Sequence, residues 1–328
     1  MDSAQGKSVD EPTSFTTFSS AQPGQAKPVL AFDLGGTKIA AAIVHQGCIV
    51  EQQTMPTDTS ADPDEWVRSM AQLARPWSGQ YSLAGAAVTG RIEAGLWSAL
   101  NPLTLNLPDK YPLPEQLRVA LGCQVMAVND AQAATWGEYR FGAGISYETT
   151  TISDLVFITV STGIGAGIVL GGRLILGHAG LAGSIGQIPY GNQGDPWENH
   201  AAGRWFAQAA ASKGLARPGG RVEAAEVFAA AARGDQVAET LIRQSAREVA
   251  RLCENLQATL DPAVIVLGGG IGLAHGYLER VSQYINTTRP CTDVHLIPAV
   301  LGSDAGLIGV ADLALREFMH DQQTEDKP

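Results

Sequence analysis

An aspartate delivered to the mouth of a helix by an apolar strand is a place where a carboxylate can take a proton from a ligand. Residues 125–142, VMAVNDAQAATWGEYRFG, have that form. The run 125–128 reads as a brief buried strand, and 131–140, rich in Ala and Gln, as a helix. Asn129 and Asp130 stand between them, with side chains suited both to capping the helix and to presenting an acid.

Two glycine turns carry a second kind of chemistry. In DLGGTK, 33–38, Gly35 and Gly36 let the backbone turn tightly and expose its N–H groups, Thr37 offers a hydroxyl and Lys38 a cation. Asp33 places beside them a carboxylate able to hold a hydrated Mg²⁺. STGIGAG, 161–167, repeats the device with Ser161, Thr162, Gly163 and Gly165. Taken singly, each turn is equally an ordinary glycine hairpin; together they suit two halves gripping one phosphate tail. The G-x-x-x-x-G-K-[ST] pattern is absent and no helix follows the first turn, which excludes a P-loop.

Three weaker sites complete the set. GGGIG, 268–272, follows a β-branched strand at 263–267, and Gly268, Gly269 and Gly270 would let adenine or ribose lie against backbone; a tight strand-to-helix turn is the competing explanation. Gly90 and Arg91 close a strand at 84–88, where α/β sheets place ligand loops. Asn101 lies in the proline-punctuated loop 100–114 as a candidate for a hydroxyl contact.

The elements that must position these groups follow from hydrophobic periodicity. Strands at 29–32, 39–44 and 48–54 form a meander around DLGGTK, followed by a helix at 63–77, the strand 84–88 and a helix at 115–121. Residues 154–177 give two strands around STGIGAG, and the irregular segment 177–200 carries Glu198. Helices follow at 201–211, 222–233 and 236–260, the last with an apolar face of Val237, Leu241, Val249, Leu252, Leu256 and Leu260. After the strand 263–267 come a helix at 274–284, a strand at 294–298 and a closing helix at 305–318, expected to pack back on the first half. The class is α/β.

Composition removes several functions. With 328 residues, 45% hydrophobic and 17% charged, the chain has room for two globular domains. A net charge of −11 disfavours partners held through phosphate backbones, so no nucleic acid is expected. Cys48, Cys123, Cys253 and Cys291 are scattered and are read as buried reduced thiols. No run approaches the roughly 18 apolar residues of a membrane span, and the N-terminus lacks signal-peptide order, which points to a cytoplasmic protein without a membrane partner. Residues 1–27, rich in Ser, Thr, Gln, Gly and Pro, read as a solvated, disordered tail.

DLGGTK, the acid after VMAVN, STGIGAG and LGGG occur in an order that resembles the ROK family of sugar kinases and repressors, within the actin-like ATPase superfamily, over essentially 29–316. The run DAQAATWGEYRFGAG with DLVFITVSTGIGAGIVLGGRLILGHAGLAG is especially similar to the bacterial N-acetylmannosamine kinases of that family. The resemblance implies two ribonuclease H-like domains with mixed sheets around a central cleft: 28–130 with the helix 305–318, and 131–304. It also implies a homodimer.

By the same resemblance, ATP and Mg²⁺ serve as cofactors and a small sugar as substrate. Asp130 is then the base at the C6 hydroxyl, with Gly90, Arg91, Asn101, Asn129, Asp130 and Glu198 touching the sugar. The implied reaction is 6-phosphorylation of N-acetylmannosamine, as in sialic acid catabolism, with glucose, N-acetylglucosamine or fructose as alternative acceptors. A sugar-responsive regulator is the other class; its winged helix-turn-helix would need about 60 ordered residues before 29, where the Ser- and Pro-rich segment stands.

One departure is plain. Family members carry E-x-G-H, or H-x-G-H in N-acetylmannosamine kinases, and then a C-x-C-x-x-x-x-C zinc site; this chain has Ser184, Ile185, Gly186 and Gln187, followed by YGNQGDPWENHAAG. The altered pair leaves the sugar open, because buried polar partners are what reject a wrong hydroxyl pattern. His178 and His200 are read as loop histidines without cysteine partners. Elemental analysis of the purified protein is expected to find no stoichiometric zinc; one zinc per chain would overturn that expectation.

Overall fold

The computed structural model describes residues 28–101, 105–146, 152–192, 194–215, 222–285 and 293–325; the segment 1–27, expected to be a tail, and Cys291 lie outside them. The chain opens with an antiparallel meander of β1 (Val29–Leu34), β2 (Lys38–His45) and β3 (Cys48–Pro56). Helix α1 (Pro63–Ala74) is started by Asp62, whose carboxylate accepts from the Glu65 N–H at 2.9 Å. Then come β4 (Leu83–Val88), the hairpin β5 (Arg91–Glu93) and β6 (Leu96–Ser98), α2 (Leu113–Leu121), β7 (Gln124–Asn129), α3 (Asp130–Phe141) and the single turn α4 (Ala143–Ser146). The first sheet is five-stranded, ordered β3-β2-β1-β4-β7, with β1, β4 and β7 parallel.

The second half repeats the winding. A meander of β8 (Leu155–Val160), β9 (Ile164–Leu170) and β10 (Arg173–Leu174) is followed by the two-residue strands β11 (Pro189–Tyr190) and β12 (Asp195–Pro196). Next are α5 (Gly203–Ser212), α6 (Ala224–Ala232), α7 (Gln236–Leu260), β13 (Val264–Gly268), α8 (Gly269–Gly272), α9 (Tyr277–Tyr284), β14 (Leu296–Pro298) and α10 (Ala305–Glu325). The order β10-β9-β8-β13-β14, with β8, β13 and β14 parallel, matches the first sheet strand for strand. Each first hairpin therefore presents its turn beside the carboxyl ends of two parallel strands.

The halves are joined by an exchange of helices. Helix α3 leaves the first sheet and packs on β8 and β9; α10 leaves the second and packs on β1 and β4, as expected for the closing helix. The two helices also pack on each other so closely that a Cβ on Gly309 would overlap the Ala133 carbonyl, and one on Gly137 the Ala305 carbonyl. Around the crossing Val128, Trp136, Leu155, Phe157, Leu307 and Val310 form one buried cluster that belongs to both halves. Polar bonds fix it: Asp312 Oδ2 accepts from Trp136 Nε1 (2.8 Å) and Arg316 Nε (2.6 Å), and buried Glu138 accepts from the N–H groups of Leu301 (2.7 Å) and Ala143 (2.9 Å).

Several boundaries differ from the sequence expectation. The second glycine turn covers only 161–163; Gly165 and Gly167 lie inside β9, where a Cβ on Gly167 would overlap the Thr135 hydroxyl, so that glycine admits α3 and not a ligand. The helix expected at 274–284 starts at Tyr277, because Gly276 takes a left-handed φ of 72°. Val237 is exposed while Leu241, Val249, Leu252 and Leu256 are buried, and Cys48 is exposed. Among the described residues no helix is long and apolar enough to cross a membrane. Gly309→Ala is expected to lower stability by roughly 1–3 kcal/mol, read as a lower urea midpoint at unchanged slope; an unchanged midpoint would contradict the backbone-to-backbone crossing.

Candidate active site

The register of the first sheet aligns Leu34, Val88 and Asn129 in one row, so the chain leaves β1, β4 and β7 at the same edge. There the two roles open to Asn129 and Asp130 separate. Asn129 is the helix cap, its Oδ1 accepting from Ala131 N (3.0 Å) and Gln132 N (3.2 Å) while its Nδ2 donates to the Gly90 carbonyl (2.8 Å). Asp130 is the first residue of α3, its Oδ1 accepting from Asn129 Nδ2 and Ala131 N, both at 2.8 Å. Both bonds fall on Oδ1. Burial pushes the Asp130 carboxyl up to about 6, against the pull of those two donors and of its own backbone N–H.

Asp33, the penultimate residue of β1, lies close enough for the two acids to repel. Burial and the Asp130 charge push it up to about 7, with Lys38 acting the other way. The start of α10 closes over it: a Cβ on Gly306 would lie 3.4 Å from Asp33 Oδ2. The turn that follows is closed by Gly35 N donating to the Lys38 carbonyl at 3.1 Å. The turn is as tight as expected, but Gly35 has no left-handed φ and an added Cβ would meet the Lys38 carbonyl only at an ordinary 3.7 Å, so the turn does not itself require glycine at that position. Thr37 and Lys38 are exposed. Thr57, which nothing in the sequence singled out, pins this turn by donating from Oγ1 to the Gly35 carbonyl (2.8 Å) and from N to the Thr37 carbonyl (3.0 Å).

The second turn, Ser161 to Gly163, is closed by Ser161 N donating to the Gly163 carbonyl (2.9 Å) and backed by Gly203 N donating to the Ser161 carbonyl (2.8 Å). Gly165, expected to touch phosphate, is a packing glycine instead: its Cβ position lies 3.2 Å from Ala131 Cβ, which brings the start of α3 under the turn. Of the third glycine run, Gly268 is covered by the Phe157 ring, and Gly269, at φ 83°, approaches the Val160 carbonyl; Gly270 has nothing within 4 Å and faces open space.

Glu198 lies buried against the second turn, its Oε2 accepting from Ile164 N at 3.2 Å. Its Oε1 accepts from Arg204 Nη2 (2.8 Å) and, across the molecule, from Asn101 Nδ2 (2.9 Å). A Cβ on Gly163 would sit 2.5 Å from Glu198 Oε2, so that position admits only glycine beside this carboxylate. Arg204 was not foreseen, since a lone arginine at a helix start carries no pattern. Gly90 has a φ of 103° and would meet the Ser98 carbonyl at 2.5 Å with any side chain, while Arg91 pairs with Glu93 at 3.2 Å. Ser184 caps and Gln187 ends the 3-10 turn Ile185–Gln187, whose Gly186 lies against Glu198, a Cβ there falling 3.3 Å from Oε2. His178 is exposed, and among the described residues no three metal-ligating side chains gather.

Two sheets of the same strand order, each with a glycine turn after its first strand, define an actin-like ATPase fold of two ribonuclease H-like halves. The chain belongs to the ROK family, whose model matches residues 29–317. It is 43% identical to the bifunctional enzyme NanE/NanK of Brucella melitensis over 92% of its own length, and spans 56% of that longer protein. To the N-acetylmannosamine kinase of Shigella flexneri it is 39% identical, covering 88% of this chain and 99% of the relative. The ROK glucokinase of Streptomyces griseus, solved with glucose and AMPPNP, superposes with a TM-score of 0.75 at 28% identity, over 88% of this chain and 99% of that one.

The carboxylates make a thermodynamic prediction. A carboxyl raised in the fold contributes stability that is present below its unfolded value, about 4, and lost as pH rises through about 7 for Asp33. Asp33→Asn is therefore expected to be more stable than the parent at pH 8, by up to about 4 kcal/mol, with the gap shrinking as pH falls to 5. A gap that stays constant over that range, in melts followed by circular dichroism, would rule out the buried charge.

Proposed function

We propose that this protein transfers the γ-phosphoryl group of ATP to the C6 hydroxyl of N-acetylmannosamine. The observation that carries the proposal is Asp130, half-buried at the start of α3 with the bonds from Asn129 and Ala131 both on Oδ1, which leaves Oδ2 to accept the hydroxyl proton. The similarity to N-acetylmannosamine kinases along nearly the whole chain supports the acceptor.

In this mechanism the sugar lies between Asn129, Gly90 and Arg91 on one side and Asn101 and Glu198 on the other. Asp130 removes the proton as the oxygen attacks. The turns at 33–38 and 161–163 donate backbone N–H groups and hydroxyls to the phosphates, in-line transfer requiring positioned donors more than covalent help. Gly270, with open space above it, takes the adenosine. The residues fit a cation: Asp33, pushed up by burial and by Asp130, gains from positive charge nearby, and bound Mg²⁺ would neutralise charge on the phosphates.

The same proposal assigns 28–130 with 305–318 to one domain and 131–304 to the other, and takes the protein as a cytoplasmic homodimer that binds no nucleic acid. Glucose is the nearest alternative acceptor, because Ser184 and Gln187 replace the family's usual sugar-contact pair on the turn whose Gly186 lies against Glu198. ADP release with Mg·ATP across a panel of hexoses and N-acetylhexosamines tests the substrate, and activity on glucose without activity on N-acetylmannosamine would sink it. Asp130→Asn is expected to lower kcat about 10²- to 10⁴-fold. For the parent enzyme kcat/KM should fall on the acid side with a midpoint at about 6, since the base must be ionised.

A further inference from the structure

Glu198 sits on a segment with almost no regular structure: β11, β12 and the 3-10 turn Trp197–His200. Pairs of two-residue strands do not fix a side chain by themselves. A stack of rings does. Tyr190 lies face to face with His200, ring centroids 3.9 Å apart and planes at 22°, and Trp197 meets Tyr190 edge-on at 5.2 Å and 89°. Arg251, on α7, covers both, its guanidinium carbon 5.6 Å from the Tyr190 centroid and 5.1 Å from that of Trp197.

The cation is itself anchored. Arg251 Nη1 pairs with Glu248 Oε2 at 2.7 Å, and Trp197 Nε1 donates to the Glu248 carbonyl at 3.3 Å, so the rings are clamped to the long helix α7. His200 Nε2 is buried without a hydrogen-bond partner among the described residues, which means that its ring is held by its face and not by its edge. Trp197 and His200 bracket Glu198 in sequence. The turn cannot rotate, and Glu198 cannot leave Ile164 N and Arg204, without breaking ring contacts on both sides.

We infer that Tyr190, Trp197, His200 and Arg251 form an aromatic–cation clamp that positions Glu198, and through it sets sugar affinity. The inference rests on Glu198 being a sugar contact in the function proposed above. Arginine suits this place because its planar guanidinium stacks on rings and still pairs with a carboxylate, which an ammonium does less well.

The test is steady-state kinetics with whichever panel sugar the parent enzyme phosphorylates, varying sugar and ATP separately. Tyr190→Ala and Arg251→Met are expected to raise the sugar KM about tenfold, with the ATP KM changed by less than about twofold. Tyr190→Phe keeps the ring and is expected to restore the parental sugar KM. Tyr190→Ala should add nothing to Glu198→Ala, because a positioning residue has no effect once the residue it positions is gone.

If Tyr190→Ala does not fold, Arg251→Lys at a half-exposed position keeps the charge and loses the stack, and carries the same expectation. A sugar KM unmoved by Arg251→Lys and Arg251→Met, or raised in step with the ATP KM, overturns the clamp. Full additivity with Glu198→Ala does so too. A panel with no phosphorylated sugar overturns the proposed function and the clamp with it, whereas a measurable parental sugar KM that the clamp variants leave alone overturns the clamp only.

Discussion

Everything else in this molecule depends on two helix backbones meeting without side chains between them. At the α3–α10 crossing Gly137 and Gly309 bring main chains into contact, and each helix lies on the sheet that the other helix leaves. The consequence is positional. Helix α3 begins at Asp130 beneath the second glycine turn, through Ala131 against Gly165; α10 begins over Asp33, through Gly306. Neither half can place its acid or its turn alone, because the helix that supports each is supplied by the other. Close packing with few voids then transmits any displacement of one half to the other half's turn.

The electrostatics follow from that placement. Asp33 and Asp130 are brought together at the half-buried edge where three parallel strands end, and both are raised, Asp33 more so because it also feels Asp130. An isolated pair of this kind would be a liability in a folded protein. In the proposed function one acid is poised near neutral pH and the second welcomes positive charge, and perturbed titration of this kind is common at active sites. The cations stand at the margins: Lys38 at the first turn, exposed, and Arg204 beside the second, already engaged with Glu198.

Sequence made the framework legible because period and punctuation are local properties. The meander at β1–β3, the strand before Asn129, the long helix α7 and the closing helix could all be read from alternation, glycine and alanine content. DLGGTK stood out for the same reason. What stayed hidden depends on contacts between distant residues. Gly165 looked like part of a turn but serves a strand passing over Ala131, and Gly35 closes its tight turn without the left-handed φ that would require glycine. Thr57 pins the first turn from 20 or more positions away, the bond to Gly35 spanning 22 residues. Tyr190 and Arg251 come together only when α7 packs beneath a nearly structureless segment, so neither could have been paired from spacing. Asn129 and Asp130 illustrate both limits: the sequence offered two roles for two residues, and only the hydrogen bonds assign them.

The Asn101 to Glu198 bond joins a loop after β6 to the turn before α5, across 97 residues. A ligand hydroxyl that reaches Glu198 Oε1 must displace an amide donor already there or share the oxygen with it and with Arg204. If Glu198 reads the sugar as proposed, recognition at this carboxylate is a competition with donors already in place. Discrimination among hydroxyl patterns then rests on how well the newcomer reproduces the geometry of the resident donor, and a poor fit is answered by an internal competitor tethered at high effective concentration.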